Sequence, residues 1–255
     1  AGEFGLHAGN PGFDGPKIIE RKKRLISGFA EYRAEQLESG RFELVRGHAR
    51  FAGPDKLAVR LRQGGEQTIT ARAILVATGS VIRHPDIPGL TEAEPLVSDD
   101  VLNNPHPPKS LLVLGAGPVA LEMAHYHRAL GADVTVVQRS KQVLSSMDRD
   151  VADAVQHGME RHGTKFVLGG RILQVGRNAR GKWLRVAHHD REETLEADEI
   201  LLALGRDAAT AGLDLAAAGL DTPAGRPLAT TDTQQTSVPH IFGAGDVTGK
   251  LEIVH

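Results

Sequence analysis

Short apolar runs and helical stripes alternate along this chain, most sharply between Ser110 and Ser140. Leu111 to Leu114 is unbroken apolar sequence and reads as a buried parallel strand. Val119, Met123, Tyr126 and Leu130 then recur at helical spacing until Gly131 stops the pattern. Val134 to Val137 forms a second apolar run. Strand, helix and strand in that order predict a βαβ unit.

On the N-terminal side, Ala1 to Pro16 is rich in Gly and Pro and reads as loop. Lys17 to Ser39 predicts one long helix, with Ile18, Leu25, Phe29 and Tyr32 on one face and Gly40 as its end. The basic run Arg21-Lys22-Lys23-Arg24 reads as a solvated face of that helix rather than a phosphate site. Phe42 to Val45, Ala49 to Phe51, Leu57 to Leu61 and Thr68 to Ala71 predict a small antiparallel meander. Ala73 to Ala77 is a buried strand that ends in the small-residue turn Thr78-Gly79-Ser80.

Beyond the βαβ unit, Asp150 to His162 predicts a helix with Val151, Val155 and Met159 on its inner face. A strand Lys165 to Leu168 follows, then a second meander of Arg171 to Val175, Trp183 to Ala187 and Glu193 to Leu195. Glu199 to Leu204 is a strand running into Gly205-Arg206, and His240 to Phe242 is a short strand running into a glycine-rich turn. Asn103 to Pro108 is a stiff Pro-rich linker, and Thr222 to Gly225 is a second break. These predict domains at 1–104, 105–223 and 224–255, the last returning to the first. Ala73 to Ser80 resembles Ile200 to Arg206, each an apolar strand after a meander. The fold class is therefore α/β, with two Rossmann-like three-layer nucleotide-binding domains, the second inserted into the first.

The turn inside the βαβ unit carries the first candidate chemistry. Gly115-Ala116-Gly117-Pro118-Val119-Ala120 is the G-x-G-x-x-[G/A] dinucleotide fingerprint in its required strand-turn-helix context. Gly115 allows the tight turn, Gly117 lets the backbone approach a pyrophosphate, and Ala120 lets helix and strand pack closely. The helix N-terminus offers free N–H groups and positive dipole to an anion. In NAD-binding versions an acidic residue about 20 residues on holds the ribose 2′-OH. Here the second strand ends Gln138-Arg139-Ser140-Lys141, with no carboxylate to repel a 2′-phosphate and Arg139 to pair with one. NADPH is expected over NADH; the plainer reading of Arg139 is a solvated charge. Asp246, on a glycine-rich strand end, suits the hydroxyls of a sugar chain, or is an ordinary turn residue.

Composition narrows the partners. With 255 residues and a formal net charge of −2, nothing favours nucleic acid or an anionic membrane. No apolar run approaches the roughly 20 residues of a membrane span. No signal-peptide pattern precedes the fold, and a cytoplasmic protein is expected. The absence of cysteine removes disulfides and thiol nucleophiles from these residues. Among 12 histidines, His125 and His127 point to different faces of one helix, and His188 and His189 alternate across a strand, so no metal site is expected.

Taken together, Gly47-His48-Ala49-Arg50-Phe51, Ala77-Thr78-Gly79-Ser80, Gly115 to Glu122, Ala203-Leu204-Gly205-Arg206 and Gly243 to Gly249 resemble the flavin-dependent pyridine nucleotide–disulfide oxidoreductases over residues 17–255. These include glutathione reductase, dihydrolipoamide dehydrogenase and mercuric reductase. The resemblance implies FAD and NADP, with NAD possible, as cofactors. It implies that Ala49 touches the FAD adenine through its backbone, and that Ala77, Thr78 and Gly79 lie against the flavin nucleotide. Gly245 and Asp246 would serve the ribityl or pyrophosphate region, and Val247 and Thr248 the isoalloxazine edge. Gly115, Gly117, Pro118, Val119 and Ala120 would hold the NAD(P)H pyrophosphate. Glu122 would lie near the nicotinamide, Gly205 would close over that cofactor, and Gln138, Arg139, Ser140 and Lys141 would line the adenosine ribose. Arg139 matches the first 2′-phosphate arginine of NADPH-using members. Their second falls on Ser145, so Lys141 would supply part of that charge. Pro118 stands where some reductases carry an aromatic gate.

The resemblance also implies elements outside these residues: an N-terminal FAD fingerprint, a C-x4-C redox disulfide, and a C-terminal dimerisation domain with a catalytic His-Glu pair. His255 matches a different histidine, at the start of the helix after the FAD-binding Asp. The chain is thus expected to be the core of a homodimeric enzyme that passes electrons from NADPH through FAD to a disulfide-type acceptor. No residue here is expected to be catalytic, and the isolated chain is expected to lack disulfide reductase activity and to retain FAD weakly. Two rivals remain at this stage: a reductase of electron-carrier proteins without the disulfide, and a non-catalytic NAD(P)H-binding module.

Overall fold

The computed structural model describes residues 12–101, 103–189 and 191–250. His255 and residues 1–11 of the expected loop lie outside the described residues. The chain opens with α1 (Gly15–Leu37), whose first turn is capped by Asp14: Lys17 N donates to Asp14 Oδ1 at 3.1 Å, and Pro16 occupies the first turn. That backbone hydrogen bond, with the nearby Lys17 ammonium, lowers the Asp14 pKa. The expected apolar face of α1 is not a core face. Only Gly15 and Ile19 are buried, while Leu25, Phe29 and Tyr32 are exposed. Gly15 is pressed against the Pro105 carbonyl, and Lys22 Nζ donates to Asn103 Oδ1 at 2.5 Å. The Pro-rich segment therefore packs on the start of α1.

The strands follow in the order β1 (Gly47–Gly53), β2 (Lys56–Leu61), β3 (Glu66–Thr70), β4 (Ile74–Val76) and β5 (Ser80–Ile82). Phe42 to Val45, expected as a strand, pairs with no strand among the described residues; Phe42 and Leu44 are exposed. Short helices α2 (Leu90–Ala93) and α3 (Ser98–Val101) lead to β6 (Ser110–Leu114), α4 (Pro118–Ala129), β7 (Asp133–Gln138), α5 (Arg149–Arg161) and β8 (Lys165–Leu168). Next come β9 (Arg171–Asn178), β10 (Gly181–His188), β11 (Arg191–Ala197), β12 (Glu199–Leu202), β13 (Arg206–Ala208) and β14 (Ile241–Gly243).

Contacts divide the chain into two compact units. One comprises Ala1–Glu31 with His84–Gly205, the other Tyr32–Arg83 with Arg206–His255. The units change at 83/84 and 205/206, whereas composition alone suggests breaks at 104/105 and 223/224. The difference has two causes: the linker packs on α1, and β5 pairs with β13 (Ser80 opposite Ala208, Ile82 opposite Arg206).

The first unit is Rossmann-like. Its parallel sheet has the order β12-β6-β7-β8, with Leu111 opposite Val134 and Leu114 opposite Val137. Leu96 bonds to Ile200 and Leu202 beyond β12. The residues of β6 and β7 are apolar because helices and a second sheet cover them. Leu111, Val113, Val134, Val136 and Leu201 form one core with Ala120 and Ala124 of α4. On α5 the inner face runs through Ala152, Val155 and Met159; Val151, expected inside, is exposed. An antiparallel sheet β11-β10-β9 completes the unit. His189 does not continue β10. It sits at φ 48° in the following turn, its ring 4.0 Å from that of His188, so the two do not alternate across a strand.

The second unit carries the other meander, β1-β2-β3, and a two-stranded parallel sheet, β14-β4, with Ile241 opposite Ile74. Phe51, Ile74, Val76, Leu228, Ile241 and Val247 form its core. Both expected meanders and the α/β class are thus present.

Candidate nucleotide-binding sites

In the first unit the site grows from the end of β6. Gly115 N donates to Val137 O at 2.8 Å, so the turn starts while the chain is still held to β7. Gly115 then takes φ +103°, and a Cβ there would strike the Ala203 carbonyl. Glycine at this position is a requirement of the fold itself. Gly117 is different. Its φ of −78° suits any residue, and a Cβ would meet nothing within 4 Å. Among the described residues nothing demands glycine there, and the space in front of its backbone is open.

Gly117 is also the N-cap of α4 and has no side-chain cap; Pro118 takes the first helical position. The amides of Val119 and Ala120 lie in the first turn, where a helix supplies no internal acceptor. Ala120 is fully buried, as a close helix–strand contact needs. Leu144 N donates to the Ala116 carbonyl at 2.9 Å, which pins the turn from the loop after β7. Glu122 is exposed one turn along α4.

At the end of β7, Gln138 O and Ser140 O accept from Gly170 N at 3.0 Å and Gly169 N at 2.9 Å. This pairing with the turn after β8 leaves Arg139 and Lys141 with exposed side chains, and the Lys141 stem rests near Gly169. Gln138 Oε1 accepts from Arg139 N at 3.2 Å. The two cationic residues and the bare helix start therefore belong to one unit, at neighbouring ends of β6 and β7. Gly205, at φ +105°, ends the same unit. Deep in α4, His127 is buried and donates from Nδ1 to Met123 O at 2.8 Å. Burial lowers its pKa below the ordinary 6.5, and the Met123 bond partly opposes that.

The second unit gathers the other candidates. β1 is an edge strand, and Phe51 N donates outward to Leu213 O at 2.8 Å. Ala49, two residues earlier, turns its backbone to that same edge. Thr78 is exposed, but its hydroxyl donates to Ala209 O at 2.8 Å, and Gly79 O accepts from Ala209 N at 2.9 Å. Ala77 is exposed beside them. Ala244 N donates to Val76 O at 3.0 Å, which carries the end of β14 alongside Ala77.

Gly245 has φ +74° with open space where a Cβ would be, and Asp246 follows, half-buried. Asp246 Oδ2 accepts from Ser80 Oγ at 2.8 Å, and Arg206 Nε donates to Ser80 Oγ at 2.6 Å. Val247 is fully buried in the core. Its side chain faces the protein, so only its backbone is left for a ligand. The Ser80–Arg206 link is a contact at this candidate site that motif reading misses. Its one signal in sequence is that each residue ends one of the two look-alike segments. Among the described residues no three His, Asp or Glu side chains converge on a point. Among the same residues no helix is long and apolar enough to cross a membrane.

The profile of the pyridine nucleotide-disulphide oxidoreductase family matches residues 16–255. The chain belongs to this family. Among curated relatives, the mercuric reductase of Staphylococcus aureus is 30% identical over 96% of this chain and 44% of its own length. The dihydrolipoyl dehydrogenase of Cupriavidus necator is 30% identical over 100% of this chain and 54% of its own length. A solved Cu(II) complex of the HOCl-induced flavoprotein disulfide reductase RclA from Escherichia coli superposes with a TM-score of 0.83 and 25% identity, covering 94% of this chain and 55% of that one. The chain thus spans about half the length of the relatives it matches. Membership of the oxidoreductase family accounts for the α/β class, the paired meanders and the fingerprint together.

Proposed function

We propose that this chain is the nucleotide-handling core of a flavin-dependent pyridine nucleotide–disulfide oxidoreductase. In this reading the first unit binds NAD(P)H, NADPH in preference to NADH, and the second unit forms a partial FAD-binding domain. The cofactors, when bound, supply the redox chemistry: two electrons pass from the reduced nicotinamide through the flavin to a disulfide-type acceptor. The chain itself binds and orients. The observation that carries the reading is Gly117: a glycine the fold does not need, at the bare N-terminus of α4, with open space before it. Such a cradle fits a pyrophosphate, whose charge the first-turn amides and the helix dipole favour.

The donor set fits the second cofactor as well. The open edge of β1 at Ala49 suits adenine, Gly79 and Gly245 leave room at the ends of β4 and β14, and Asp246 offers an acceptor to ribitol hydroxyls. Glu122 and Gly205 serve the nicotinamide side, and Gln138, Arg139, Ser140 and Lys141 the adenosine ribose. There is no cysteine in the chain, so the thiols of a disulfide acceptor come from outside these residues. The parent enzyme, in this reading, is a cytoplasmic homodimer paired through a further domain.

Calorimetric titration of the protein with NADPH and NADH tests the central part. Tighter binding of NADPH by tenfold or more is expected, because one charge-assisted contact contributes roughly 1.5–3 kcal/mol. Equal affinities would remove the NADPH preference, and no binding of either would remove the nucleotide reading altogether.

A further inference from the structure

The second unit holds a chain of hydrogen bonds that its motifs, taken singly, do not connect. Arg206 Nε donates to Ser80 Oγ at 2.6 Å, and Arg206 Nη2 donates to the Ser80 carbonyl at 2.9 Å. Ser80 Oγ lies 2.8 Å from Asp246 Oδ2. A guanidinium only donates, and a hydroxyl has one hydrogen. With Arg206 on its acceptor side, Ser80 turns that hydrogen to Asp246. The direction of the chain is therefore fixed: Arg206 to Ser80 to Asp246.

Both ends are anchored. The Arg206 carbonyl accepts from Arg83 Nη2 at 3.1 Å, and Arg83 Nε donates to Asp207 Oδ1 at 2.7 Å. Arg206 stands opposite Ile82 in the β5–β13 pair, which delivers its guanidinium to Ser80. At the other end Gly249 N donates to the Asp246 carbonyl at 3.0 Å, closing the turn that carries the carboxylate.

We propose that Ser80 and Arg206 are positioning residues for Asp246. Ser80 engages its Oδ2, Arg206 holds the Ser80 hydroxyl in that direction, and the carboxylate is stopped from rotating, so that Oδ1 is presented as the acceptor for a ribitol hydroxyl of the flavin nucleotide. The inference rests on the reading of Asp246 as a flavin-side acceptor. Its physical basis is pre-organisation: a carboxylate already oriented loses less freedom when the ligand arrives.

The test uses the full-length protein stripped of flavin and titrated with FAD by fluorescence quenching, with the melting temperature of the stripped form measured in parallel. Asp246→Asn examines the underlying reading by itself; unchanged FAD affinity removes that reading and this inference with it. If Asp246→Asn weakens binding, Ser80→Ala is expected to weaken it about tenfold without lowering the melting temperature. Ser80→Thr, which keeps the hydroxyl, is expected to stay within about twofold. Ser80→Ala added to Asp246→Asn is expected to cost nothing further, the signature of a residue acting through another. Additive losses, or wild-type affinity in Ser80→Ala beside a weakened Asp246→Asn, overturn the proposal. Should Ser80→Ala not fold, Arg206→Lys decides: a several-fold loss that vanishes in the Asp246→Asn background supports it, and unchanged affinity overturns it.

Discussion

The two units use the same local device, an apolar strand ending in a small-residue turn, in different surroundings. In the first unit the strand before the turn, β6, lies inside a four-stranded sheet, and Leu112 at its centre is 2% exposed. In the second, β4 pairs with β14 alone among the described residues, and Leu75 at its centre is 61% exposed. The sites differ in kind as well. The first candidate site centres on backbone, a glycine turn and a bare helix start, with the exposed side chains of Arg139 and Lys141 beside it. The second candidate site offers a side chain, Asp246, whose Oδ2 accepts from Ser80 Oγ. The contrast teaches that burial, not the strand pattern itself, decides how much a given leucine stabilises.

The largest effect should separate those two leucines. Leu112→Ala is expected to destabilise the first unit by about 2–5 kcal/mol, and Leu75→Ala to stay within about 0.5 kcal/mol. Denaturant melts of both variants check this, and equal losses would break the comparison. The next effect separates two glycines of one motif. Gly115→Ala is expected to cost about 2 kcal/mol or more, because it forces a positive φ and a backbone clash. Gly117→Ala should leave the melt unchanged and weaken NADPH binding, since its Cβ points into space the protein leaves open. A Gly117→Ala variant that binds NADPH normally would mean that the open space is not where the pyrophosphate lies.

Arg139→Ala should lower the NADPH/NADH affinity ratio by about ten- to a hundredfold, read by paired titrations. An unmoved ratio would assign the exposed arginine to solvent. The smallest effect concerns His127. Its pKa is lowered by burial, so below 6.5 the unfolded chain binds a proton that the folded chain resists. Stability contributed by the neutral ring is present above 6.5 and lost as pH falls toward the lowered value. The slope is at most one proton's, about 1.4 kcal/mol per pH unit. His127→Gln should flatten the stability profile in that range, measured by urea melts at several pH values.

Much of this was legible in the residues. The β6–α4–β7 segment announces itself because every level agrees: continuous apolar strands, a positive-φ glycine, a helix stripe and a glycine stop. Both meanders are readable from their turns. The rest depended on tertiary context. The stripe of Leu25, Phe29 and Tyr32 has a helical period but is exposed, and periodicity carries no information about how deeply a face is buried. Val151 fits a spacing of four along α5, yet the buried position is its neighbour Ala152, because Ala152, Val155 and Met159 follow the 3.6-residue turn more closely than Val151, Val155 and Met159. Phe42 to Val45 is apolar enough for a strand but pairs with no strand among the described residues. The Ser80–Arg206–Asp246 link joins residues far apart in sequence, and no local pattern encodes a hydroxyl's direction.

The pairing of β5 with β13 has a topological consequence. Where Ile82 faces Arg206, the chain departs and comes back at the same spot, like the base of a hairpin whose loop is the whole of residues 84–205. A long flexible loop would make such a stem costly to close, though the cost rises only slowly with length. A loop that folds with its ends together removes most of that cost beforehand. The pairing thus costs the chain little despite the long stretch of sequence between its two strands.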